Sequence, residues 1–152
     1  MKVSDVMTAP PVSITPQASL LDATRRMNEC AVGSVLVVEG GELRGIVTDR
    51  DLAIRGLGTD LGPGTPVDAM MSAVVVTVDA DADLETAYRT FRRTGVRRLP
   101  VLDGSRVVGM LTIDDLLLDV FRRLADLLGP VAWSVLKEPP GPPPATGASC
   151  AS

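Results

Sequence analysis

The chain has no histidine. That removes the commonest general base and the commonest metal ligand at neutral pH. Its two cysteines, Cys30 and Cys150, are too few for a disulfide framework. Aromatic residues make up only 3%, so the core must be Val, Leu, Ile, Ala and Met, with few rings to stack a base. No apolar run approaches the roughly 20 residues a membrane helix needs. Asp5 and Pro10-Pro11 break any signal-peptide pattern. A net charge of −4 speaks against general nucleic-acid binding, which needs a strong basic field. These features predict a cytoplasmic protein with neither membrane nor nucleic acid as partner. There is no Walker-type glycine loop, no Cys-x-x-Cys pair, and no Ser or Cys with a histidine. No catalytic residue is therefore assigned and an enzyme is not expected. Asp49, Asp51, Asp60, Asp114 and Asp115 can in principle hold Mg²⁺, but caps and surface acids explain them more simply.

What the chain does have is an internal repeat. Residues 3–55 shifted by 64 positions fall on 67–119 without a gap, and fifteen of the 53 positions are identical. They are Val3, Met7, Ala9, Val12, Ala18, Leu20, Ala23, Arg25, Val32, Val37, Gly40, Gly45, Thr48, Asp51 and Leu52. A unit of this size is marginal alone, so each copy is expected to bury a face against the other around a pseudo-twofold axis. The predicted divisions are repeat 1 over 1–56, a Gly/Pro/Thr-rich linker over 57–66, repeat 2 over 67–128, and a Pro-rich, disordered tail over 129–152.

Each copy predicts the same elements. A short strand comes first, at Val12–Ile14 and Val74–Val78. A helix follows, near Ser19–Glu29 and Asp83–Arg93, with Ser19 and Asp83 as N-caps. Leu20, Ala23 and Met27 match Leu84, Ala87 and Phe91 at helical spacing. A hairpin comes next, Ser34–Val38 with Leu43–Val47 and Leu99–Leu102 with Arg106–Leu111. A second helix closes each copy. The last one, Asp114–Leu128, carries an apolar face from Leu116 to Leu128. That face either packs on its own repeat or meets a partner subunit.

The chemistry concentrates where the hairpin ends. Gly45-Ile-Val-Thr48-Asp-Arg-Asp51 aligns with Gly109-Met-Leu-Thr112-Ile-Asp-Asp115. A threonine hydroxyl at a helix start can donate to a phosphate, and a carboxylate three residues on can accept ribose hydroxyls. A capping box uses the same residues. The two roles are compatible.

These motifs, with Val6-Met7-Thr8, Leu20-x-x-Ala23-x-x-x-Met27 and Val96-Arg-Arg-Leu-Pro-Val101, make the chain resemble a tandem pair of cystathionine-β-synthase (CBS) domains. The resemblance spans about residues 3–120 and is similar to stand-alone bacterial pairs. It implies an α/β (α+β) fold of two β-α-β-β-α units packed sheet to sheet, with clefts that bind AMP, ADP, ATP or S-adenosylmethionine. It also implies a homodimer that regulates a partner protein. No cofactor is required, though Mg²⁺ can accompany ATP.

Transferred residue by residue, one site takes Thr112, Asp115 and Met110, with Arg97 and Arg98 on the phosphate. Thr8, Val12 and Val32 join it from the opposite repeat. The other site takes Thr48, Asp51 and Ile46 with Ser72, Val76 and Val96, and a reaching Arg97. Its counterparts to Arg97 and Arg98 are Gly33 and Ser34. The first site is therefore expected to hold phosphate more tightly. The reading is a regulatory adenine-nucleotide sensor, the alternative a dimerising module with empty or degenerate clefts.

Overall fold

The computed structural model describes residues 1–136. Its elements repeat as the sequence does. Repeat 1 has β1 (Ser13–Ile14), α1 (Leu20–Cys30), β2 (Ser34–Glu39), β3 (Glu42–Thr48) and α2 (Asp49–Asp51). Repeat 2 has β4 (Val78–Asp79), α3 (Leu84–Thr94), β5 (Arg98–Asp103), β6 (Arg106–Thr112) and α4 (Ile113–Leu136). The strand order is β1-β2-β3-β6-β5-β4. The outer strands β1 and β4 pair parallel with β2 and β5, and each hairpin is antiparallel. The halves of the sheet join where Glu42 of β3 pairs with Arg106 of β6. Even the irregularity is duplicated, with a register shift at Val37/Val38 and another at Val101/Leu102.

Local chemistry explains the helices. Ser19 Oγ accepts the Asp22 N–H at 3.0 Å, and Asp22 Oδ2 accepts the Ser19 N–H at 3.0 Å. Asp83 Oδ1 accepts both the hydroxyl and the N–H of Thr86, at 2.7 and 2.8 Å. Leu20, Ala23 and Met27 are buried on α1, as are Leu84, Ala87 and Phe91 on α3.

Each repeat's core is completed by the other repeat's leading segment. Val3 is fully buried among Val78, Leu84, Phe91 and Leu99 of repeat 2. Val67 is fully buried among Leu20, Met27, Val35 and Val47 of repeat 1. The backbone confirms the exchange. Val3 N–H donates to Ala82 O at 2.9 Å, and Val67 N–H donates to Ala18 O at 2.8 Å. Leu36 and Pro100 are also fully buried but belong to neither core. Strand alternation turns them to the sheet face opposite Val35, Val37, Leu99 and Val101, which pack in the two cores.

The structure departs from the sequence reading in three places. Residues 74–77 form no strand; pairing begins at Val78. β-Branched residues favour a strand only where a neighbour is present to pair with, and Val74 is instead 96% exposed. The second helix of repeat 1 is a three-residue turn that continues as a π-helical segment over Leu52–Gly56. α4 passes the expected end at Leu128 and runs through Pro130 to Leu136. Leu124, Leu127, Leu128 and Val131 keep helical spacing across that proline, which removes only one N–H from the ladder. The rest of the tail, 137–152, lies outside the described residues. Among the described residues, no helix is long and apolar enough to cross a membrane.

The exchanged segments pack closely over Gly45 and Gly109. A Cβ on Gly45 would lie 2.7 Å from Met71 Sδ and 2.7 Å from Ser72 O. On Gly109 it would lie 2.5 Å from Met7 Sδ and 2.9 Å from Thr8 O. Gly109→Ala is expected to cost about 1–3 kcal/mol by overpacking, measured by urea unfolding; an unchanged midpoint would contradict the close approach. Acid unfolding gives a second check. Hydrogen bonds from the Thr86 hydroxyl and N–H hold the Asp83 carboxyl below its ordinary value. Its contribution is therefore present above the usual aspartate range, about pH 3.9, and lost as pH falls through the lowered folded value. In Asp83→Asn that part of the acid loss should vanish.

Candidate functional site

A cleft of about 260 Å³ opens between the repeats. Repeat 1 lines it with Thr8, Val12, Val32, Gly33 and Ser34; repeat 2 supplies Arg97, Arg98, Met110, Thr112 and Asp114. One edge is a two-bond backbone bridge. Thr8 N–H donates to Met110 O at 2.9 Å, and Met110 N–H donates to Thr8 O at 3.0 Å. Segment exchange thus sets Thr8 beside Met110.

A second cleft, also about 260 Å³, repeats this arrangement across the pseudo-twofold axis. Ile46, Thr48, Ser72, Val76 and Val96 line it, with Val74 and Val75. Its bridge joins Ile46 and Ser72 through two 3.0 Å bonds. The valine run that fails to form a strand is therefore the wall of this cleft.

Thr48 and Thr112 face the clefts, but Asp51 and Asp115 line neither. Their immediate task is capping. Asp51 Oδ2 accepts the Thr48 N–H at 3.0 Å, and Thr48 Oγ1 accepts the Asp51 N–H at 3.1 Å. Asp115 and Thr112 repeat this at 2.8 and 3.1 Å. The second carboxylate oxygen takes no part in the box, and each threonine hydroxyl keeps its own proton to donate. Asp115 opens onto an adjoining recess with Asp5, Asp119 and Arg122, which meets the first cleft at Thr8.

Arg97 and Arg98 line both clefts. The expectation gave the second cleft a reaching Arg97; Arg98 lines it as well. Position 33 explains it, because a glycine there leaves room for a guanidinium. A Cβ on Gly33 would lie 3.2 Å from Arg98 Nη2 and 3.3 Å from Asp49 Oδ2. Two charges differ between the clefts. Asp114 lines the first. At the second, Arg55 Nη1 donates to Ser72 Oγ at 3.1 Å. The sequence reading missed Arg55, although it follows Asp51 by four residues, a spacing that shares one helix face.

A larger apolar recess of about 520 Å³ lies on the helical side, lined by Leu20, Leu21, Met27, Leu52, Leu57 and Leu61. It offers no cation for a phosphate. Among the described residues, no group of three or more acidic, Cys or His side chains is placed to hold a metal ion.

Comparison with known proteins fits this duplicated geometry. The CBS domain family matches the chain twice, over residues 3–57 and 67–122. The CBS domain-containing protein YhcV of Bacillus subtilis is 34% identical over 114 residues, covering 75% of this chain and 81% of that protein. The crystal structure of the CBS domain protein NE2398 superposes with a TM-score of 0.71 at 30% identity, covering 80% of this chain and 98% of the other. The CBS domain protein PAE2072 of Pyrobaculum aerophilum, complexed with AMP, has a TM-score of 0.69, covering 76% and 90%. At 22% identity it shares the fold alone. Two matched copies, one sheet and a reciprocal exchange of segments lead to one conclusion: the chain belongs to the CBS domain family, as a tandem pair.

Proposed function

We propose that this CBS pair is a regulatory sensor of adenine nucleotides or S-adenosylmethionine, working in the cytoplasm on a partner protein. One observation carries the proposal. Two equivalent clefts each set a threonine hydroxyl and an apolar wall opposite the same pair of arginines. Val12 and Val32 in one cleft, and Val76 and Val96 in the other, suit a base held without aromatic stacking. Thr112 and Thr48 are placed to donate to a phosphate. Asp115 and Asp51 keep one oxygen outside the cap for ribose. Met110 and Ile46 flank the sugar, Thr8 and Ser72 close the rim, and the guanidinium groups pair with phosphate. Mg²⁺ would enter only with ATP. No covalent step is needed: a ligand bridging the repeats favours one relative orientation, and a partner reads it.

The exposed face of α4 supports a homodimer as the reader. Leu117, Leu124 and Val131 recur every seven residues, with Val120 and Leu127 between them. Their exposures run from 39% to 68%. This is the spacing of a two-helix seam. A second copy of the chain supplies the same stripe, and so covers it.

Thermal unfolding with AMP, ATP and S-adenosylmethionine tests the sensor. A true ligand at a hundredfold excess over Kd should add about 2.7 kcal/mol and raise Tm by several degrees. No shift with any of the three would leave only a dimerising module with empty clefts. Light scattering tests the dimer. The unaltered chain should have twice the monomer mass, and Leu124→Glu should shift it toward monomer without loss of helical signal. A monomeric unaltered chain at micromolar concentration would refute the seam.

A further inference from the structure

Among the described residues the two clefts are lined by the same two cations, while Arg55 is held on Ser72 at the edge of the second. Arg97 and Arg98 stand on the wall between them and line both. The backbone fixes that wall from each side. Ile113 N–H donates to Arg97 O at 3.1 Å, and Asp49 N–H donates to Gly33 O at 3.0 Å. The wall is thin because repeat 1 places Gly33 and Ser34 where repeat 2 has the arginines. Arg98 Nη2 fills the space that a side chain at Gly33 would need. Neither guanidinium is held in an ion pair or a side-chain hydrogen bond among the described residues.

We infer that the two clefts compete for this single pair of guanidinium groups, so that a phosphorylated ligand in one cleft weakens phosphate binding in the other. The inference rests on the adenine-nucleotide reading above and adds to it how the two sites are coupled. A guanidinium binds phosphate through a planar fork of donors, and a fork turned into one cleft is turned out of the other. The second phosphate also meets the first across a thin protein wall, where like charges are screened less than in bulk water. The coupling is reciprocal, so it holds whichever cleft fills first. An uncharged adenosine ligand needs no guanidinium. One nucleotide together with one nucleoside is therefore an unopposed pairing, while two nucleotides are not. The pair would then respond to the ratio of phosphorylated to unphosphorylated adenosine ligands as well as to their total.

Calorimetric titration of the full chain, with native mass spectrometry to count bound copies, tests this with AMP and adenosine. The second AMP should bind about 5- to 150-fold more weakly than the first, after correction for the statistical factor. The two adenosine steps should lie closer together. Arg97→Ala/Arg98→Ala should weaken the first AMP step and bring the AMP ratio to that of adenosine. A second AMP too weak to detect supports the inference if adenosine fills both clefts. Two AMP steps of equal intrinsic affinity overturn the inference and leave the nucleotide reading standing. So does an AMP gap that survives in the double variant, or adenosine that also stops at one copy. Failure of both AMP and adenosine to bind overturns the nucleotide reading, and the inference with it. Should the double variant not fold, the comparison of AMP with adenosine on the unaltered chain decides.

Discussion

The reciprocal exchange of leading segments holds everything else in place. Val3 sits in the core of repeat 2 and Val67 in the core of repeat 1, both fully buried. Burying an aliphatic side chain of this size stabilises by roughly 1.5–3 kcal/mol. Here that stabilisation is available only when the two repeats are docked, so neither repeat has a finished core alone. The exchange also brings Met7 onto Gly109 and Met71 onto Gly45. Those close approaches set the backbone bridges that edge the clefts. Stability and site therefore share one cause.

That cause also explains how a binding event can be transmitted. Each cleft is walled by both repeats, so a ligand inside it touches two bodies joined by exchanged arms and one edge of sheet. α4 grows directly out of β6 at Thr112, a cleft residue, and carries the exposed apolar stripe from Leu117 to Val131. Cleft and stripe thus lie on one continuous element.

Much of this was legible in the sequence because duplication doubles weak signals. A lone Thr-x-x-Asp reads as a cap, whereas two in register after Gly-apolar-apolar mark matching hairpin ends. Ser19, Asp83 and the apolar spacing of α1 and α3 fixed those helices to within a residue. The exchange was not legible, since a gapless 64-residue offset says that the copies match and not which copy completes which core. Residues 74–77 read as a strand because propensity is local, while pairing needs a neighbour. Arg98 was placed in one cleft only, and Arg97 in the other as a reaching side chain, because position-by-position alignment does not show which residues share a wall. Only the fold shows that Gly33-Ser34 and Arg97-Arg98 form a single wall.

The central claim is that exchanged segments edge clefts that a ligand closes on. Amide hydrogen exchange at the two backbone bridges, with and without saturating AMP, tests it most directly. Exchange should slow at the bridge of the occupied cleft, at Thr8 and Met110 or at Ile46 and Ser72. Unchanged rates at all four amides, with AMP shown to be bound, would contradict it.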